Sequence, residues 1–267
     1  MDLGIKGRVA FVSGGTRGIG RAAADHLAAE GCRVIVVGRR QASVDEAVKV
    51  MRSAGGEVSG VAADLTDAVD IKRAVQFARD CYGDPEIVIS NVHLGDGGAD
   101  GDGSFESLSD AEYQQAFNDL TMSVVHLTRE VTPAMKASGW GRLINVGSGA
   151  AKEPPVEMEH LLHNLARAPV VLLNKSLAND LGPFGITVNT IGTGWIATDA
   201  VQKYARDMGI AEDGIEDWVR ENFDIPLNRF GKPEEEGALI AFLASELAGF
   251  ITGNWIACDG GQHRSAW

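Results

Sequence analysis

The stretch Arg8-Val-Ala-Phe-Val-Ser-Gly-Gly-Thr-Arg-Gly-Ile-Gly20 decides how the rest of the chain is read. Val9 to Val12 is a short apolar run with β-branched members, which suits a buried strand, and Arg21 to Glu30 consists of helix-forming residues. Between them Gly14, Gly18 and Gly20 remove Cβ atoms where a strand must turn sharply into a helix. A phosphate can then approach the backbone amides at the helix start, where the partial positive charge of the helix terminus favours an anion. A glycine triplet alone also fits a tight turn with no ligand. What a dinucleotide site requires in addition is present: a strand before, a helix after and a second strand about a dozen residues on.

That second strand, Arg33 to Val37, ends in Gly38-Arg39-Arg40. An acidic side chain at this strand end holds a ribose 2′-hydroxyl, whereas an arginine accommodates a 2′-phosphate. Here the acid is missing, two arginines stand in its place, and Arg17 in the glycine turn adds a third positive charge. The pattern predicts NADP(H) as the cofactor; the alternative is that these arginines are only solvated surface groups.

Further out, the same alternation continues. Gln41 to Ala54 reads as a helix, Val58 to Ala63 as a strand, Asp67 to Tyr82 as a helix stopped by Gly83-Asp84-Pro85, and Ile87 to Ile89 as a fourth strand. Ser109 to Ala137 is a long helical stretch, with Ser109 as N-cap and Glu112 completing a capping box. Arg142 to Val146 is a fifth strand, Leu161 to Leu181 a helix, Gly185 to Asn189 leads into a sixth strand, Lys232-Pro233 starts a helix, and Trp255 to Cys258 is a seventh strand. Strands alternating with helices of this length predict one α/β domain over residues 1–267: a doubly wound, Rossmann-type fold with a seven-stranded parallel sheet flanked by helices. Its ligand would lie at the C-terminal ends of the strands.

A net charge of −13 without a basic cluster argues against nucleic acid or anionic membranes as partners. No run approaches the roughly 20 apolar residues of a membrane span, and the N-terminus lacks an apolar targeting core. Cys32, Cys81 and Cys258 are scattered without metal-type spacing; they read as small core residues in a reduced, cytoplasmic setting. Gly95 to Gly103 alternates carboxylates with glycines as calcium loops do, but the sixth and twelfth positions counted from Asp100 are Phe105 and Ala111, so a flexible acidic loop at the site rim is the preferred reading. His160 and His163 lack a third ligand at helical spacing, and no metal is expected. Asp199 to Ile225 mixes charges and aromatics as a substrate lid would, with Trp195, Tyr204, Met208, Trp218 and Phe223 as candidate pocket residues; a packed helical pair is the alternative.

The spacing Ser13-Gly14-x-x-x-Gly18-x-Gly20 resembles that of the short-chain dehydrogenase/reductase family, in its β-ketoacyl-carrier-protein-reductase-like branch. Arg229-Phe-Gly-Lys-Pro-Glu234, Ala241-Phe-Leu-Ala-Ser245 and Asp259-Gly-Gly261 extend the resemblance over almost the whole chain. It implies cofactor contacts from Ser13, Gly14, Thr16, Arg17, Gly18, Ile19 and Gly20 at the phosphates, and from Arg39 and Arg40 at the 2′-phosphate. It places Asp64 and Leu65 at the adenine, and keeps Asn91 where the family usually shows Asn-Asn-Ala-Gly but this chain has Ser90-Asn-Val-His93. Gly194, Ile196 and Thr198 would surround the nicotinamide, with Thr193 standing where the family usually has proline. The same resemblance implies a homotetramer or homodimer.

Family members that reduce carbonyls use a tyrosine as general acid or base, a lysine four residues later, a serine that holds the carbonyl oxygen and an asparagine that seats a water. Ser148 matches the serine. Aligned on Lys175-Ser-Leu-Ala and Gly185-Ile-Thr-Val-Asn189, the tyrosine position falls on His163 and the lysine position on Arg167; the asparagine position falls on Leu120. His163 and Arg167, at i and i+4, share one helix face. An imidazole's ordinary pKa, about 6.5, suits proton donation near neutral pH, whereas a guanidinium binds ribose hydroxyls but relays no proton. Two readings stay open. One is an NADP(H)-dependent oxidoreductase that interconverts a small-molecule carbonyl and an alcohol through Ser148, His163 and Arg167. The other is a non-redox NADP(H)-binding protein in which His163 and Arg167 are a polar rim.

Overall fold

Apolar runs without alternation need cover on both faces, and the computed structural model, which describes residues 2–92, 104–154, 161–211 and 214–265, supplies it. Strand β1 (Val9–Ser13) is buried at every position. It leads through the glycine turn into α1 (Gly18–Ala29), then β2 (Arg33–Gly38), α2 (Gln41–Ser53), β3 (Glu57–Ala62), α3 (Ala68–Tyr82) and β4 (Ile87–Ser90). The second part comprises α4 (Asp110–Phe117), a π-helical turn (Asn118–Met122), α5 (Ser123–Ser138), β5 (Gly141–Val146), α6 (Leu161–Leu181), β6 (Ile186–Thr193), α7 (Asp199–Asp207), α8 (Ile215–Asn222), α9 (Pro233–Ala244) and β7 (Trp255–Cys258).

The sheet has seven strands in the order β3-β2-β1-β4-β5-β6-β7, and every neighbouring pair is parallel. The chain winds outward from β1 to β3 and then returns to the other side of β1, which opens a crevice beyond the ends of β1 and β4. One face is covered by apolar residues of α1, α2 and α9, including Leu27, Met51 and Leu243. The other is covered by α3, α5 and α6, through residues such as Val75, Val131 and Leu181. Among the described residues no helix is long and apolar enough to cross a membrane.

The local signals placed most helix starts. The Asp67 carboxylate accepts from the N–H groups of Val69 (2.7 Å) and Asp70 (2.9 Å) at the start of α3. Ser109 and Glu112 form the expected capping box at α4. The long helical stretch expected over 109–137 is present, with a π turn at Asn118–Met122 inside it. Inside that turn the Thr121 hydroxyl donates to the Ala166 carbonyl of α6, at 2.7 Å. This partner lies 45 residues away, so a local reading of the helix could not foresee it. Strand β6 also runs four residues past Asn189, to Thr193.

Between residues 199 and 225, α7 and α8 pack around a small aromatic core, while Asp199 lines the cleft described below. Trp195 stacks on Phe223 at 4.4 Å between centroids, and Trp218 meets both at 6.0 and 5.4 Å. Ile215, Val219 and Phe230 complete this small core. Met208 is half exposed, and the Tyr204 side chain lies outside the described residues. The cysteine expectation is corrected in one case: Cys32 is buried and Cys258 partly so, but Cys81 is exposed. Burial pushes the Cys32 thiol up to about 12 and the Cys258 thiol up to about 11. The acidic segment Gly95–Gly103, together with His93 and His160, lies outside the described residues.

Candidate functional site

The glycine turn adopts the geometry that its composition demands. Gly14 has φ +60°, and a Cβ there would stand 2.7 Å from the Asn91 carbonyl oxygen; at Gly20 a Cβ would stand 2.4 Å from the Gly14 carbonyl oxygen. These close approaches bring the start of α1 against the ends of β1 and β4. Helix α1 has no acidic residue in its first turn and no side-chain cap from Arg17. Its first N–H groups therefore lack side-chain acceptors at the cap, and the helix dipole favours an anion beside them.

A cleft of about 840 Å³ opens at this point. Ser13, Gly14, Thr16, Arg17, Gly18 and Ile19 line it from the turn, and Arg39 and Arg40 from the end of β2. Asp64 and Leu65 line it from the loop after β3, Asn91 from just past β4, and Thr198 from just before α7. His163 of α6 lines the same cleft. Of the residues expected at the cofactor, Gly20, Gly194, Ile196 and Arg167 are not in this lining. Gly20 packs the helix start onto the turn, and Ile196 is buried in the core and bridges to Gly231. At Gly194 the missing side chain lets Asp259 approach, since a Cβ would lie 2.5 Å from its Cα.

Ser13 and Asn91 are tied together. The Asn91 N–H donates to Ser13 Oγ at 2.6 Å, joining the ends of β1 and β4. Asn91 is 8% exposed, yet its Oδ1 has no hydrogen-bond partner among the described residues. A buried carbonyl oxygen without a donor costs free energy.

The sequence reading missed Ser43, Thr66, Val92, Gln115 and Asp119, all of which line the cleft. Ser43 had a local signal, a hydroxyl in the first turn of the helix that follows Arg40. Gln115 lies on α4 and Asp119 in the π turn that follows it, and neither type nor spacing marked them in the sequence. Asp119 accepts from Gln115 Nε2 at 2.7 Å, and its carboxyl is pushed up by burial and by the Asp64 charge, which outweigh that bond.

At the other end, α6 packs against the π turn and against the short 3₁₀ turn Gly149–Ala151 that follows Ser148. Ser148 stands at the end of β5, where its Oγ accepts from the Ala150 N–H at 3.2 Å. Its own hydroxyl proton remains a donor. Arg167 follows His163 by one helical turn and is partly exposed. Leu120 is 4% exposed and packs with Ala116, Ala166, Leu162 and Val92, so the place matched to the family's asparagine is apolar. Behind the strand end that leads to Thr198, Thr193 Oγ donates to Glu236 Oε1 at 2.6 Å. Glu236 is fully buried, its other oxygen has no partner among the described residues, and burial pushes its carboxyl up to about 7.

Comparison with known proteins matches this architecture. A family model described as enoyl-(acyl carrier protein) reductase matches residues 14–263. Cyclohexanol dehydrogenase of Rhodococcus sp. (strain TK6) is 34% identical over 97% of this chain and 97% of its own length. The 3-oxoacyl-acyl-carrier-protein reductase FabG of Haemophilus influenzae is 30% identical over 98% of this chain and 100% of its own. Among solved structures, L-sorbose reductase of Gluconobacter frateurii, complexed with NADPH and L-sorbose, superposes with a TM-score of 0.90 at 29% identity, covering 99% of this chain and 100% of that one. A glycine turn, a strand order and a match that all run the length of the sheet lead to one conclusion: the chain belongs to the short-chain dehydrogenase/reductase family.

Proposed function

We propose that the protein is an NADP(H)-dependent oxidoreductase that interconverts a small-molecule carbonyl and an alcohol, with His163 in the place of the family's tyrosine. The observation that carries this reading is that one cleft holds both ends of such a reaction: Arg17, Arg39 and Arg40 at one side and His163 at another. The residues fit the dinucleotide. The open amides of α1 suit a pyrophosphate, the arginines suit a 2′-phosphate, and the unpartnered Asn91 Oδ1 awaits a donor. Relatives support the choice, since the sorbose reductase was solved with NADPH and a 29% identical Bacillus subtilis protein is named an NADPH-dependent reductase.

When bound, the dinucleotide supplies the hydride. Ser148 donates a hydrogen bond to the carbonyl oxygen, and His163 delivers the proton that this oxygen takes up as it becomes a hydroxyl. Arg167 adds positive charge on the same helix face but relays no proton. Leu120, packed among apolar groups, seats no water, so proton resupply falls to solvent reaching His163. A general acid typically contributes about 10²–10⁴-fold, and a weakened one leaves a slow enzyme where hydride geometry is intact.

The buried Leu120 also favours a second reading, a non-redox NADP(H)-binding protein. Titrating activated ketones and quinones against NADPH, and following its consumption, separates the two. Slow, saturable turnover is expected; tight NADPH binding with no turnover on any carbonyl selects the second reading. Assembly as a homotetramer or homodimer belongs to the proposal as well. Leu161, Leu165 and Leu172 on α6, and Phe250 before β7, are exposed, as faces that pack against a second copy would be. Light scattering that gives a monomer at micromolar concentration removes this part.

A further inference from the structure

Two carboxylates meet the cleft from different elements: Asp64 from the loop after β3, and Asp119 from the π turn. Each has one oxygen engaged. Asp64 Oδ1 accepts from the Thr66 N–H at 3.0 Å and from the Thr66 hydroxyl at 2.8 Å. Asp119 Oδ1 accepts from Gln115. The second oxygen of each carries no hydrogen bond to another described residue. Like charges sharing a partly dry space repel, and the repulsion is relieved by a donor that offers a hydrogen to each. No group of three metal-ligating side chains occurs among the described residues. The adjoining wall carries the independent sign of a ligand, the buried and unpartnered Asn91 Oδ1.

Position selects the donor. Strands β2 and β3 are neighbours in register, with Gly38 opposite Ala62, so the loop carrying Arg39 and Arg40 and the loop carrying Asp64 leave adjacent strand ends. If Arg39 and Arg40 hold the 2′-phosphate, the base on the same ribose lies against the end of β3 and the π turn beyond it. We propose that Asp119 is a second acceptor for the exocyclic amine of that base, working with Asp64 to select adenine over a purine with a carbonyl at the same position. The inference rests on the NADP(H) reading above. An amine gives one hydrogen to each carboxylate, whereas a carbonyl oxygen would turn its lone pairs toward two anions.

The test is calorimetry with NADPH and with reduced nicotinamide hypoxanthine dinucleotide phosphate, in which a carbonyl replaces the amine. The wild type should bind NADPH about tenfold or more tightly than the analogue, in line with a charge-assisted hydrogen bond. Asp119→Asn keeps the shape and the contact with Gln115, and should lower that preference about tenfold, mainly by weakening NADPH. Asp119→Leu, suited to the apolar neighbours of Leu120, should lower it at least as far. A preference unchanged in both variants while NADPH still binds would overturn the role of Asp119 and leave the cofactor reading standing. A wild type that binds neither nucleotide overturns both.

Discussion

The two ends of the cleft are built on different terms. At the phosphate end the backbone does the work: the positive φ of Gly14, the uncapped start of α1 and the contact of Gly20 with the turn. Six consecutive candidates there, Ser13, Gly14, Thr16, Arg17, Gly18 and Ile19 with only Gly15 between them, line the cleft. At the chemical end side chains decide, and they stand on three separate elements: the end of β5, the π turn and α6. Of the four positions matched to the family's catalytic residues, Ser148, Leu120, His163 and Arg167, only His163 is in the lining. The scaffold of that end holds without polar site residues, because Leu120 packs against Ala166 and Thr121 bonds its carbonyl. A helix pair can therefore keep its place while the groups it presents are exchanged, whereas the glycine turn admits no such exchange.

The sharpest challenge to this contrast is to change the chemical end alone. Leu120→Asn, His163→Tyr and Arg167→Lys together rebuild the acid, its partner and the water seat. Steady-state kinetics should show turnover raised by about 10²–10⁴-fold, while NADPH affinity moves by no more than a few-fold. The three act as a unit, so single changes should not add. Loss of NADPH binding in the triple variant would show that the two ends are coupled after all.

A second challenge concerns the wall behind Thr198. Burial lifts Glu236 from 4.5 to about 7 in the folded protein, so the folded state holds a proton that the unfolded chain releases. Stability must then fall as pH rises from about 4.5 through about 7, by roughly 3 kcal/mol for a shift of that size. Below that window both states are protonated and the penalty is absent. Glu236→Gln keeps an acceptor for Thr193, and melts at pH 5 and pH 8 should show this slope removed and the variant more stable at the higher pH. An unchanged slope would place the proton elsewhere.

A smaller effect probes the phosphate end. NADPH should bind at least about tenfold more tightly than NADH, and Arg39→Asp should abolish that preference, as read by calorimetry. Equal affinities in the wild type would break the assignment of Arg17, Arg39 and Arg40.

What could be read from the chain follows the same division. Ser109 and Glu112 announced their capping box because both partners lie within one turn. Gly14, Gly18 and Arg39 were legible because strand, turn and helix are local patterns. The π turn was not, since the Thr121 bond that accompanies it reaches a residue on α6, and with it Gln115 and Asp119 escaped notice. Trp195, Trp218 and Phe223 looked equally suited to a pocket or to a core; only packing distinguishes them, and they face one another. Cys81 reads as apolar by type, but it sits near the exposed end of α3. Ser148 was placed correctly at a strand end, where it caps a turn, and its part in chemistry depends on the substrate that it meets.

The central claim is that His163 is the working acid of this cleft. It is tested most directly by single-turnover reduction of an activated ketone by enzyme-bound NADPH, in the wild type and in His163→Phe. NADPH affinity should be retained, and the rate should fall by about 10²–10⁴-fold. An unchanged rate in His163→Phe, or a wild type that binds NADPH and never transfers hydride, would contradict it.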